Sequence, residues 1–161
     1  MADFRRAVPG DGRAVGSVFT AARADMSYLP ALHTADEDIA FFTEHVLPSS
    51  IVTVAEVCEP GEFGEPGESA ARLVIGFSAV KDDWVDHLYV TPALQRRGVG
   101  SALLRQAMDE HPDGLSLWVF AANGGAQSLY ERAGFHVVER TDGSGNEEGQ
   151  PDVRMRWSGL R

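Results

Sequence analysis

From Leu88 to Val90 a short apolar strand runs through Thr91-Pro92 into the turn Gln95-Arg96-Arg97-Gly98-Val99-Gly100-Ser101 and straight on into a helix striped with Ala102, Leu103 and Leu104. A strand that feeds directly into a helix returns to its sheet by a crossover, so the chain needs layers of sheet and helix, an α/β or α+β fold. The same turn aims free backbone N–H groups and the positive end of a helix dipole at one point. Gly98 and Gly100 remove side chains where an anion must approach the backbone, and Arg96 and Arg97 add charge beside it. The six-residue pattern alone also fits two glycines that merely ease a helix start. No Lys-Ser/Thr follows the glycines as a P-loop requires, and Leu103 stands where a dinucleotide fingerprint needs a third small residue, which disfavours ATP and NAD.

Apolar alternation and turn residues place strands at 4–8, 51–57, 72–80, 84–90, 115–120, 135–139 and 152–157, with helices over 11–24, 36–46, 98–109 and 124–133. Val15, Val18 and Phe19 share a face of the first helix, with Asp11 as its cap; Ile39, Phe42 and Val46 form one stripe of the second, with Pro48 as its stop. The strands around Lys81-Asp82-Asp83 form an antiparallel meander, and the later strand-helix-strand order makes the sheet mixed. The Gly/Pro/Glu tract at about 59–69 and the polar Gly-rich stretch at about 141–151 are expected as mobile loops. At 161 residues and 43% hydrophobic content, residues 1–161 are expected to form a single domain.

Fourteen basic against twenty-four acidic residues give a net charge of −10, which repels a phosphate backbone and argues against nucleic-acid partners. The acidity belongs to the first half: residues 1–85 carry fourteen acids and six bases, residues 86–161 ten and eight. No Lys or Arg occurs from Ala24 to Ala71, and a site bordered by that surface would concentrate cations; a merely solubilising face is the plainer reading. No run of eighteen apolar residues and no signal-like start is present, so the expectation is a cytoplasmic protein without a membrane partner. A single cysteine, Cys58, excludes an internal disulfide and a cysteine zinc module, and no metal is expected.

About thirty residues beyond the glycine turn, Leu117-Trp118-Val119-Phe120 leads through Ala121-Ala122-Asn123 into Gly124-Gly125-Ala126-Gln127-Ser128-Leu129-Tyr130-Glu131-Arg132-Ala133-Gly134-Phe135. Asn123 is a natural N-cap, Ala126, Leu129, Tyr130 and Ala133 share one helix face, and Gly134 supplies a left-handed stop. Together the two blocks, in this order, resemble the Gln/Arg-x-x-Gly-x-Gly/Ala turn and the Asn-helix-Tyr-Gly-Phe segment of the GCN5-related N-acetyltransferase (GNAT) superfamily. The resemblance is at motif level over residues 84–136 and extends to 3–158 as an order of elements.

The resemblance implies a mixed, mostly antiparallel sheet of about six to seven strands flanked by about four helices. It also implies acetyl-coenzyme A as acyl donor, held by Leu88, Tyr89, Val90, Gln95, Arg96, Arg97, Gly98, Val99, Gly100, Ser101, Asn123 and Tyr130. A bulge would splay the strand ahead of the turn from its neighbour, Val90 would offer its N–H to the thioester oxygen, and Tyr130 would protonate the departing thiolate. The implied activity is acetyl transfer to a primary amine of a small molecule by direct attack. A fold that keeps coenzyme A without turnover, or a protein or peptide acceptor, are the alternatives.

For the general base, Asp86 and His87 both lie on the relevant strand, and water is a third candidate; successive strand residues face opposite sides, so at most one of the two should reach the acceptor unless the bulge intervenes. Ribosomal-protein acetyltransferases of the superfamily can carry a Glu on the later strand, where this chain has Trp118. The acceptor pocket is expected between the early helices and the late loop, with Tyr28, His33 and Glu147, beside Glu148, as lining residues and a cationic amine as ligand. A monomer and a homodimer are both open.

Overall fold

Short runs of alternating apolar residues separated by turns make strands, and here they assemble into one sheet. The computed structural model describes residues 1–59 and 71–160. Its strands are β1 (Asp3–Arg6), β2 (Ile51–Cys58), β3 (Arg72–Lys81), β4 (Trp84–Val90), β5 (Leu115–Phe120), β6 (His136–Arg140) and β7 (Asp152–Trp157). They lie in the order β1-β2-β3-β4-β5-β7-β6. Every pairing is antiparallel except β4 with β5, which the crossover between them makes parallel. The longer helices are α1 (Gly12–Ala24), α2 (Ala35–Phe41, prolonged by a wide turn Phe42–Val46 and a last turn to Ser49), α3 (Val99–Glu110) and α4 (Gly124–Ala133).

The sheet buries a different helix pair on each face. Val15, Val18, Phe42 and Val46 of α1 and α2 pack on Val52, Val54, Phe77 and Ala79. On the opposite face Val99 and Leu103 of α3 pack on Ala55, Ile75 and Val90, while Leu104 and Tyr130 join Leu115, Leu117, Val119, Val153, Met155 and Trp157. Strand alternation therefore sends Tyr89 towards α1 and Leu88 and Val90 towards α3.

Four local features refine the element order. β1 stops at Arg6, because the Asp11 carboxylate pairs with Arg5 (2.8 Å) and accepts the Val8 N–H (2.7 Å) instead of capping α1. Thr34, not Asp36, starts α2: its hydroxyl accepts the Glu37 N–H (3.2 Å) while the Glu37 carboxylate accepts the Thr34 N–H (2.7 Å), a capping box. β7, last in the chain, inserts between β5 and β6. Finally, the stretch 141–151 carries its own bonds: the Thr141 hydroxyl donates to Asp152, and Asn146 Nδ2 donates to Gln150 O (2.7 Å) and to Asp152 (3.1 Å). The other expected loop, about 59–69, lies outside the described residues apart from Glu59.

α1 crosses α2 at glycines. A Cβ on Gly16 would come within 2.7 Å of Ile39 Cα, a backbone atom that cannot yield without moving the helix. Gly16→Val should therefore lower stability by about 1–3 kcal/mol, the usual range for overpacking. Gly10, where an added Cβ would meet nothing within 4 Å, is the control, and Gly10→Ala should be near neutral. Urea midpoints at unchanged m-value check both.

Candidate functional site

A bulge in β4 opens the sheet. Ala79 pairs with His87 and Val80 with Val85, which leaves Asp86 as the extra residue. β4 and β5 pair only at Trp84–Ser116 and Val85–Leu117, before the bulge; beyond it β4 keeps β3 but has no β5 partner. The Thr91 N–H donates to Ile75 O of β3 (2.8 Å), and antiparallel alternation then turns the N–H and C=O of Leu88 and Val90 away from β3, into the gap. Gln95 Nε2 donates to Val90 O (3.0 Å), so the Val90 N–H and both Leu88 groups are the ones left over.

The turn after β4 completes this edge. Arg96 (φ 61°) and Gly98 (φ 85°) both adopt left-handed backbone, and Gly98, the residue before α3, has no side chain to cap the helix N–H groups. Ala102 is the first residue whose N–H is taken within the helix, by Gly98 O (3.0 Å), so the N–H groups of Val99, Gly100 and Ser101 remain as donors. The Val99 side chain is buried in the core beside Leu103, so only its backbone faces this function; Arg97 is exposed and stands off the cleft.

Across the gap, Asn123 caps α4 by accepting the Ala126 N–H (3.1 Å), and Gly134 ends the helix in left-handed backbone (φ 103°). A cleft of about 740 Å³ runs between the two helix starts, bounded by Leu88, Tyr89, Val90, Gln95, Arg96, Gly98, Gly100, Ser101, Asn123 and Tyr130 together with Ala22, Asp25 and Tyr28 from the end of α1. Tyr130 is buried, and desolvation holds its phenol above the ordinary range, so it stays protonated at neutral pH.

Of the residues expected to line the acceptor pocket, Tyr28 borders the cleft, whereas His33, Glu147 and Glu148 do not. Arg23 binds Glu148 (2.6 Å) and His33 binds Glu147 (2.7 Å), which ties the end of α1 and the loop after it to the loop before β7. Glu148 is thus ion-paired with Arg23, and Glu147 is bonded to the imidazole of His33. Arg23 was not anticipated: it is the last base before the base-free run, and nothing local in the sequence marks it. Its guanidinium lies 5.3 Å from the Phe19 ring centroid and 5.5 Å from that of Phe120. Tyr28 packs edge-on against Phe120, and its hydroxyl is buried with no hydrogen-bond partner among the described residues. Asp25, also missed, is the one carboxylate bordering the cleft among the described residues.

Neither strand residue expected as general base borders the cleft. Asp86, the bulged residue, is exposed, with Lys81 and Asp82 as its charged neighbours, because the bulge throws it out of the alternation. His87 turns the other way, into the rings of Phe19, Phe42, Phe77 and Tyr89. Desolvation, aided by the Arg23 charge, pushes its pKa from 6.5 down to about 4. The folded protein thus binds this proton less readily than the unfolded chain. His87 favours folding fully above pH 6.5, and that contribution is lost as pH falls through 6.5 towards 4. His87→Phe should flatten the fall in stability across that window, measured by urea unfolding at a series of pH values.

Among the described residues no group of three or more His, Cys, Asp or Glu side chains is placed to hold a metal ion, and no helix is long and apolar enough to cross a membrane. The sequence matches the acetyltransferase (GNAT) domain family over residues 51–137. Peptidyl-lysine N-acetyltransferase YiaC of Escherichia coli is 33% identical over 72 residues, 45% of this chain and 49% of that protein. Mycothiol acetyltransferase of Saccharomonospora viridis is 38% identical over 88 residues, 47% of this chain and 28% of that protein. The chain therefore spans at most about half the length of these curated relatives. The fold is that of yncA from Salmonella typhimurium, solved with its cofactor acetyl-CoA, at a TM-score of 0.71 and 20% identity over 100% of this chain and 95% of that one. With its open β4 edge, its uncapped α3 start and a family match covering more than half its length, the chain belongs to the GNAT acetyltransferase family.

Proposed function

We propose that this protein is an acetyl-coenzyme A-dependent N-acetyltransferase that acts on a primary amine of a small molecule, with residues 1–161 working as one acetyltransferase domain. The observation that carries this reading is the open β4 edge beside the uncapped start of α3. Leu88 and Val90 offer strand-like bonds to the pantetheine arm, and the N–H groups of Val99, Gly100 and Ser101, with Arg96, meet the diphosphate. Asn123 and Tyr130 close the other side.

Transfer then proceeds by direct attack. The neutral amine nitrogen forms a bond to the thioester carbon, the Val90 N–H stabilises the oxygen that gains charge, and the C–S bond breaks. Tyr130 donates its phenolic proton to the departing thiolate, and the nitrogen loses its surplus proton to cleft water, which later restores Tyr130. Water takes the base role because Asp86 and His87 both point elsewhere.

Trapping the thiol released from acetyl-coenzyme A across polyamines, amino acids, aminoglycosides and peptides tests the reading. Release that depends on a small amine is expected; coenzyme binding without release, or release with peptides alone, contradicts it. Two variants separate binding from chemistry. Gly100→Glu adds bulk and negative charge at the diphosphate and should abolish coenzyme A binding by calorimetry in a folded protein. Tyr130→Phe keeps the ring and should leave that binding intact while kcat falls about ten- to a thousand-fold, measured with chemistry rate-limiting.

A further inference from the structure

A second cavity, of about 340 Å³, adjoins the cleft and takes no part in the transfer chemistry. Ser101, Leu129 and Arg132 border both, so the two spaces are continuous past the start of α3. The helices touch at that point: a Cβ on Gly100 would lie 3.7 Å from Leu129 Cδ2. From there a groove runs between Ser101, Leu104, Arg105 and Met108 of α3 and Leu129, Arg132 and Ala133 of α4. Spacings of three and four bring each set to one face of its helix.

Each helix contributes an arginine. Arg5, Arg6, Arg23, Arg72, Arg154 and Arg156 are ion-paired, whereas Arg105 and Arg132, both exposed, are in no ion pair among the described residues. In a chain of net charge −10, two unpaired guanidiniums at the rim of one cavity attract an anion. The rest of the groove is mostly apolar. Leu104 and Trp157 are buried beneath it, and Leu160 stands 72% exposed at its edge, fixed by its N–H donating to Pro112 O (2.9 Å). Asp109, also on the groove, repels a phosphate but accepts a hydrogen bond.

An occupant must combine an apolar body with an anionic group and be continuous with whatever fills the cleft. Beyond its diphosphate, coenzyme A has that composition. Its adenine is a flat ring with an amino group to donate, and its ribose carries a 3′-phosphate, a phosphomonoester of about −1.5 to −2 charge at neutral pH. Arg105 lies one turn on from Ser101, about 6 Å along the helix axis. A ribose whose 5′ end is held at Ser101 therefore brings its 3′-phosphate within reach of long arginine side chains.

We propose that the α3–α4 groove holds the adenosine end of coenzyme A, with Arg105 and Arg132 binding the 3′-phosphate, so that this protein selects coenzyme A over donors lacking that phosphate. Met108 and Leu160 cover the base, and Asp109 accepts from its amino group. This rests on the acetyl-coenzyme A reading above and adds to it a determinant of donor specificity.

The test is calorimetry on the full chain at one salt concentration, with coenzyme A and with dephospho-coenzyme A, which lacks the 3′-phosphate. Coenzyme A should bind about tenfold or more tightly. Arg105→Gln and Arg132→Gln should each weaken coenzyme A about three- to tenfold and leave dephospho-coenzyme A unchanged, whereas a merely structural arginine would weaken both alike. Arg132→Lys, which keeps the charge and loses the fork, should restore part of the loss. Arg140→Gln removes the same charge from β6, away from both cavities, and should alter neither affinity. Equal binding of the two ligands, an equal loss of both in the groove variants, or the same loss of discrimination in Arg140→Gln overturns the subsite and leaves acetyl transfer standing. Binding of neither ligand overturns the acetyl-coenzyme A reading and the subsite with it. Discrimination without thiol release from acetyl-coenzyme A leaves the subsite standing and overturns the transfer reading alone.

Discussion

The single residue that β4 has in excess of β3 governs this structure. By inserting Asp86, the strand ends its pairing with β5 after two residues and leaves the backbone of Leu88 and Val90 facing a gap inside a sheet that is otherwise continuous. Unpaired strand groups within a fold are costly, and proteins keep them where another chain or ligand can complete the ladder. The helix packing follows from the same opening. α3 and α4 cover the far face of the two diverging strands, so their N-termini sit on either side of the gap.

The turn that connects β4 to α3 converts this opening into a polar site. Left-handed backbone at Arg96 and Gly98 folds the chain back tightly enough for Gln95 to hold the last carbonyl of β4 while the first N–H groups of α3 stay free. A non-glycine residue in that conformation is strained, and here it falls on an arginine at the cleft edge. On the other face, one acid is paired by an arginine and one is not. The overall −10 is not spread evenly over the acids near α1, since Glu148 is matched by Arg23 while Glu147 meets only the imidazole of His33. Net charge describes the surface as a whole and leaves individual sites to their neighbours.

Much of this was legible in the sequence because it rests on local chemistry. The glycine turn, the Asn123 cap, the Gly134 stop and the bounds of β4, β5, α4 and β7 follow from short-range rules, and the family resemblance rests on the same residues. What escaped depends on partners far apart in the chain. The place of β7 between β5 and β6 depends on strand edges that earlier parts of the chain leave unpaired. Asp86 and His87 resisted assignment because one bulged residue changes which side each faces, and alternation fails at a bulge. Arg23 joins α1 to a residue 125 positions later. No local pattern announces such a pair, and its importance lies in the aromatic rings on both sides of it.

The most direct test of the account is amide hydrogen exchange with and without saturating coenzyme A. If the opened strand edge and the start of α3 are completed by the coenzyme, protection should rise at Leu88, Val90, Val99, Gly100 and Ser101 and change little along β1, β2 and β6. Saturated coenzyme A binding that leaves these five amides exchanging as in the free protein would contradict the account, because the gap made by Asp86 would then have no ligand.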